Sequence, residues 1–234
     1  MFLKKYLLEI FKEDKLNIEF KKLSFRYQSR FIVKKVDNQF DSGHIHFIKG
    51  GNGAGKTTFL KLIATILKPT YGSILYNELN SKKFRKAGNR ITYISYLASL
   101  YPELTLNENI ELFSKISGFK IDIKKGNEIG RAVQNNNLLN EFNLTAFKNI
   151  QTKKFSTGML KKSSLIISLM HESDIYLFDE PFSGLDIESV NILKNYIIKL
   201  SKMDKMVFLV SHLIQEIDNA KYYVIENEKL RTIS

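Results

Sequence analysis

Apolar positions recur along this chain in two rhythms. Over residues 2–14, Leu3, Leu7, Ile10 and Phe11 repeat at helical spacing with charges between them, which predicts a short amphipathic helix. Residues 17–48 carry short apolar runs instead. Ile18-Glu19-Phe20, Phe31-Ile32-Val33 and Ile45 to Ile48 predict strands, and Asp41-Ser42-Gly43 marks a turn between two of them. Thr58 to Leu67 predicts a helix, closed by Lys68-Pro69-Thr70-Tyr71-Gly72. Ile91 to Ile94 predicts a further strand.

From Thr105 the rhythm turns helical. Thr105 and Glu108 have capping-box spacing, Ile110, Phe113 and Ile116 supply an apolar face, and Gly118 suits a C-terminal stop. No strand pattern crosses residues 105–150, so an inserted helical subdomain is expected at about 97–158. Strand runs return at Ile175-Tyr176-Leu177-Phe178 and Val207-Phe208-Leu209-Val210. Strands alternating with helices predict a parallel α/β sheet, and runs this apolar predict one covered on both faces.

Composition narrows the class. The 234 residues are 44% hydrophobic and 26% charged, as in ordinary globular domains, and no apolar run is long enough to span a bilayer. The first fourteen residues mix Lys4, Lys5, Glu9, Lys12 and Glu13 with apolar positions, unlike a secretory signal. With no cysteine, disulfides and thiolate metal sites are excluded. The net charge of +12 is spread along the chain rather than gathered into one run. Charge alone therefore selects no partner.

The chemistry begins at Gly50-Gly51-Asn52-Gly53-Ala54-Gly55-Lys56-Thr57, which fits G-x-x-x-x-G-K-[ST] between a predicted strand and a predicted helix. Glycines let consecutive backbone N–H groups converge on a phosphate, and the helix N-terminus adds its positive end. Lys56 would reach the β- and γ-phosphates, Thr57 would ligate Mg²⁺, and Thr58 continues the same helical turn. Ligands of such sheets sit beyond the carboxyl ends of the strands. Asp179-Glu180 and Ser211-His212 follow two other predicted strands, so three strand ends deliver polar groups to one region. Phosphoryl transfer to water then assigns Asp179 to the metal, Glu180 to the attacking water and His212 to the γ-phosphate or that water. Tyr27 could stack on adenine, with Phe25 as its rival.

These residues resemble the ATP-binding cassette family over about residues 17 to 225. The loop 50–57 is similar to Walker A, Ile175 to Glu180 to Walker B, Ser183-Gly184-Leu185-Asp186 to the D-loop and His212 to the switch histidine. Phe155-Ser156-Thr157-Gly158-Met159 resembles the family signature, and Tyr27 falls at the adenine-stacking aromatic. The resemblance implies a phosphate-loop NTPase core with a mostly parallel sheet, an N-terminal antiparallel β portion and the inserted helical subdomain. The ATPase domain would span 17–234, with the N-terminal helix apart in 1–16. It implies ATP and Mg²⁺ as ligands. It also implies a head-to-tail dimer, homo- or heteromeric, in which Ser156, Thr157 and Gly158 of one copy meet the nucleotide of the other. Ser156 would also cap a helix through Leu160 to Met170.

Tyr96 stands where the family usually keeps a glutamine, and Thr157 replaces a commoner glycine. The resemblance implies an ATPase powering a separate membrane-spanning subunit, cytoplasmic and peripheral on the inner face of the plasma membrane, with exporter-type features in Leu97 to Leu106. Leu97, Leu100 and Tyr101 are expected either to receive that subunit or to belong to the helical core. Two other readings stand beside it: a weakly hydrolysing regulatory subunit, because of Tyr96, and an ATPase acting on nucleic acid, because of the charge.

Overall fold

Alternation along the central strands decides the architecture. The computed structural model describes residues 15–95, 100–116, 138–170 and 172–233. The expected helix over 2–14, Tyr96, Leu97 and Gly118 lie outside them. Among the described residues no helix is long and apolar enough to cross a membrane.

The first sheet is antiparallel, in the order β2-β1-β4, from β1 (Asn17–Tyr27), β2 (Arg30–Asp41) and β4 (Tyr71–Tyr76). The second has the order β5-β6-β7-β3-β8-β9, from β3 (Ile45–Lys49), β5 (Ile91–Ile94), β6 (Ile175–Asp179), β7 (Met206–Val210), β8 (Ala220–Glu226) and β9 (Lys229–Ile233). Its strands pair in parallel except β9, which is antiparallel to β8. The chain is thus the α/β protein that the pattern predicts, with an antiparallel portion at its N-terminal end.

The central strands β3, β6 and β7 are buried on both faces. Ile48, Ile175, Leu177, Met206 and Phe208 face helix α1 (Lys56–Ile63) and the antiparallel sheet. Ile45, Phe47, Tyr176, Phe178, Val207 and Leu209 face the opposite layer. That layer contains α3 (Leu106–Ile116), α4 (Leu138–Glu141), α5 (Thr157–Leu169) and α6 (Ile187–Lys202). A short helix, α2 (Ser81–Lys86), follows β4.

An aromatic cluster fastens the two sheets. The Phe40 ring of β2 lies 5.0 Å from Phe208 and 5.2 Å from Phe20, both edge-on. Edge contacts of this kind add about 0.5–1.5 kcal/mol each beyond the area they bury. His46 of β3 is sealed in the same cluster, 4.9 Å from the Phe208 ring. Its Nε2 lies 2.9 Å from the Asp41 carbonyl and its Nδ1 3.3 Å from the Tyr223 hydroxyl. Burial pushes the imidazole down to a pKa of about 4, against the carbonyl bond, which favours the proton. Strand β3 therefore delivers the loop that follows it from a rigid seat.

Helix α1 starts two residues earlier than expected and ends four residues sooner. The cause is tertiary. Tyr76 donates its hydroxyl to the Ile63 carbonyl at 2.6 Å, and Arg85 donates to the Ala64 carbonyl at 3.0 Å. These partners satisfy carbonyls that a further turn would have used. Thr65 turns left-handed at φ 60° and breaks the helix. Gly72 is not a helix stop either. It lies in β4 at φ 75°, where an added Cβ would meet the Lys21 carbonyl oxygen at 2.3 Å. Glycine is needed there for β4 to pass the irregularity of β1 between Lys21 and Ser24.

The capping box is present. Thr105 N–H donates to Glu108 Oε2 at 2.7 Å, and Glu108 N–H donates back to Thr105 Oγ1 at 3.2 Å. Of the expected apolar face of α3, Ile110 is buried and Phe113 partly buried, while Ile116 is exposed.

Candidate functional site

The carboxyl ends of β3, β6 and β7 lie side by side, because β6 pairs with β7 and β7 with β3. Residues 50–57, 179–180 and 211–212 leave those three ends. This adjacency is what brings the loop, the carboxylates and the imidazole to one edge of the sheet.

The loop takes its shape from two close approaches. Gly50 has φ 149°, and a Cβ there would stand 2.7 Å from the Ile225 carbonyl oxygen of β8. Gly55 has φ 100°, and a Cβ there would stand 2.1 Å from Ile32 Cγ2 of β2. Gly51, Asn52 and Gly53 are exposed, and Ala54 closes a turn by donating its N–H to the Gly51 carbonyl at 3.2 Å. Gly55 is the N-cap of α1 and offers no side chain to its first turn, which also lacks an acidic residue. A helix start without an internal acceptor suits an anion. By contrast α5 is capped by Ser156 and α6 by Asp186.

Lys56 curls back over the loop, donating from Nζ to the carbonyls of Gly50 at 2.7 Å and Gly51 at 3.0 Å. Burial lowers its pKa, opposed by the charges of Glu180 and Asp179. Thr57 is exposed, and Thr58 is buried within the same turn. The Thr57 hydroxyl donates to Asp179 Oδ1 at 3.1 Å. A hydroxyl whose proton is spent this way keeps its lone pairs for a cation. The pair therefore fits a hard divalent ion such as Mg²⁺.

Glu180 turns left-handed at φ 53° just past β6, and its N–H donates to the Val210 carbonyl at 2.9 Å. Its carboxylate faces His212. The His212 backbone N–H donates to Oε2 at 3.1 Å, and His212 Nε2 lies 3.3 Å from Oε1 without hydrogen-bond alignment. Ser211 accepts from the N–H groups of Leu213 and Ile214 and so fixes the turn that carries the imidazole.

Two neighbours were not foreseen from sequence. Tyr93 of β5 donates its hydroxyl to Asp179 Oδ2 at 2.7 Å, and burial followed by that bond pushes its pKa up. Lys161 of α5 stands near enough to Glu180 to feel its charge, while burial pushes its pKa down to about 8. Neither residue belongs to a short motif. Finding them requires knowing that β5 adjoins β6 and where α5 packs.

Tyr27 ends β1 with its ring half exposed, while Phe25 is buried in the core with its ring edge-on to Tyr27 at 4.9 Å. Of the two rivals, Tyr27 alone is open to a ligand. Its hairpin reaches the loop through Ile32.

Ser156, Thr157 and Gly158 belong to a different element from the three strand ends. They open α5, where Ser156 Oγ accepts from the Met159 N–H at 3.2 Å, and both Ser156 and Thr157 are exposed. Helix α5 is joined to the D-loop segment by Lys162, which pairs with Asp186 at 2.7 Å. That bond, with the N–H of Ser189, holds the Asp186 carboxyl below its usual range. Leu100 packs partly buried against the helical layer, whereas Tyr101 is exposed, its ring 6.1 Å from Phe113.

Known proteins resemble this chain in sequence and fold. A family model described as ABC transporter matches residues 33–183. The ABC transporter ATP-binding protein NatA of Bacillus subtilis is 33% identical over 187 residues, covering 79% of this chain and 73% of that protein. A solved ATP-binding subunit of an ABC transporter superposes with a TM-score of 0.76 at 25% identity, covering 92% of this chain and 90% of the other. A dimeric ATP-binding cassette in a post-hydrolysis state, bound to ADP and Pi, shares the fold with a TM-score of 0.74 at 22% identity over 92% of this chain and 97% of its own. The chain belongs to the ABC transporter family and is an ABC ATPase, the ATP-binding subunit of a transporter.

Proposed function

We propose that the chain hydrolyses ATP between two copies, or between itself and a related subunit, and so drives a separate membrane-spanning partner. The observation that carries this reading is the convergence of residues 50–57, Asp179, Glu180 and His212 at three adjacent strand ends.

The geometry supports the following roles. The N–H groups of Gly51 to Thr58 would hold the phosphates, and Lys56 would exchange the carbonyls of Gly50 and Gly51 for phosphate oxygens. Tyr27 would stack on the base. Thr57 and Asp179 would hold Mg²⁺. Among the described residues no group of three or more His, Cys, Asp or Glu side chains is placed to hold a metal ion together. The remaining oxygens would thus come from nucleotide and water, as is usual for this ion. Bound Mg²⁺ would neutralise the charge on the transferring phosphoryl group. Glu180 would orient the attacking water and accept its proton, and His212 would hold Glu180 or the γ-phosphate.

The sandwich is supported by Ser156 and Thr157, which lie exposed at the start of a thirteen-residue helix. A second copy brought head to tail would place that start over the first copy's phosphates. A post-hydrolysis cassette with the same fold is dimeric. The partner subunit would meet the region of Leu100 and Tyr101, within a helical subdomain taken as residues 97–158, on the inner face of the membrane. Mg²⁺, these site roles and the N-terminal helix of 1–16 are part of the same proposal.

The test is phosphate release by wild type and Glu180→Gln, with sizing of each in Mg·ATP. The reading expects turnover to collapse in the variant while ATP drives it into a dimer. Equal turnover would remove Glu180 from its role. Co-purification with a membrane protein supports the transport assignment, and isolation only in a soluble complex counts against it.

A further inference from the structure

Asp179 is held by two hydroxyls from two different elements, one on each carboxylate oxygen. Thr57, in the first turn of α1, donates to Oδ1 at 3.1 Å, and Tyr93, in β5, donates to Oδ2 at 2.7 Å. The convergence follows from strand alternation. Tyr93 lies opposite Leu177 in the β5–β6 pairing, and Asp179 is two residues beyond Leu177 on the same face. That face is the one covered by α1. The Tyr93 ring packs against the core there, as Ile91 does two residues before it. Packing alone asks only for an aromatic ring, so the hydroxyl serves Asp179.

An aspartate at a strand end can rotate about two side-chain bonds. Clamping one oxygen fixes which oxygen remains for the other neighbour. We propose that Tyr93 is a positioning residue of the metal site: its hydroxyl holds Oδ2, so that Oδ1 stays turned toward Thr57. This rests on the assignment of Thr57 and Asp179 to Mg²⁺ made above. Without the hydroxyl, Asp179 rotates away part of the time, and binding of the divalent ion weakens while the phosphate loop is untouched. Partners that orient metal-binding groups typically set metal affinity by about 10- to 100-fold.

Tyr93→Phe removes the hydroxyl and keeps the ring. Mn²⁺ binding in the presence of ATP is followed by electron paramagnetic resonance, nucleotide affinity is measured in EDTA with a fluorescent ATP analogue, and the Mg²⁺ dependence of turnover is recorded alongside. The expected result is a half-saturating metal concentration about tenfold higher, with affinity in EDTA unchanged. In an Asp179→Asn background the same substitution should add no further shift. Replacing Tyr93 by 4-aminophenylalanine, which restores a donor on the ring, should return the titration toward wild type, and it stands in if Tyr93→Phe does not fold. A folded Tyr93→Phe that titrates as wild type overturns the proposal, and so does an equal shift in the Asp179→Asn background. If Asp179→Asn itself leaves metal binding unchanged, the metal-site assignment falls and takes this proposal with it.

Discussion

His212 meets Glu180 twice: its backbone N–H donates to Oε2 at 3.1 Å, and its Nε2 stands 3.3 Å from Oε1. The main chain of one strand end thereby holds the carboxylate of the next. The imidazole is needed only for the second contact. His212→Ala should therefore leave Glu180 in place but slow turnover by about 10²- to 10³-fold, within the range of a lost hydrogen bond or charge contact in phosphoryl transfer. ATP binding should be retained. Single-turnover phosphate release checks this, and unchanged rates would leave His212 without a part in the reaction.

Gly55 cannot accept a side chain. Its φ of 100° strains any other residue, and Ile32 Cγ2 occupies the place of a Cβ. Gly55→Ala should cost about 1–3 kcal/mol of stability from backbone strain alone. It should also abolish nucleotide binding by moving the loop. Adding Ile32→Ala should recover stability only in part, because the strain in φ remains. Denaturant melts of the single and double variants measure this.

Ser156 caps α5, and in the proposed sandwich it would also meet the partner copy's nucleotide; substitutions can separate the two. Ser156→Ala loses the bond from the Met159 N–H and should cost about 1 kcal/mol. Ser156→Asp keeps a capping oxygen and should leave the melting temperature near wild type. Its negative charge should nevertheless block ATP-driven dimerisation and turnover. Sizing in Mg·ATP reads the difference; a Ser156→Asp variant that dimerises normally would confine the residue to capping.

His46 makes stability fall in acid. Its folded pKa of about 4 lies below the ordinary value of 6.5, so the unfolded chain binds a proton that the native site refuses. The contribution is intact above pH 6.5 and is lost as pH falls through 4. At one pKa unit per about 1.4 kcal/mol, the loss totals on the order of 3 kcal/mol. His46→Gln should flatten the urea-midpoint profile between pH 6.5 and 4 relative to wild type.

The strands with unbroken apolar runs were legible in the sequence, since Ile45 to Ile48, Ile175 to Phe178 and Val207 to Val210 are buried on both sides and show it. So was the phosphate loop, whose fixed positions are local. Strand β4 was not, because Pro69 and Gly72 read as a helix stop while Gly72 serves a crowded strand crossing. Strands β8 and β9 escaped because their charged positions, such as Lys221 and Arg231, dilute the pattern at the outer end of the sheet. Helix α1 was overrun because Tyr76 and Arg85, which terminate it, come from later elements. Tyr93 illustrates the general limit. Its strand was predicted, but its partner depends on strand order, which periodicity does not encode.

The account turns on Lys56 and the amides around it gripping a triphosphate. Titration calorimetry of Mg·ATP into wild type and Lys56→Ala addresses that grip without requiring turnover or a partner. A saturable signal in wild type, weakened at least about tenfold in the variant, is the predicted result, equal to a loss of about 1.4 kcal/mol. Equal affinity in the two proteins, or none in either, would contradict it.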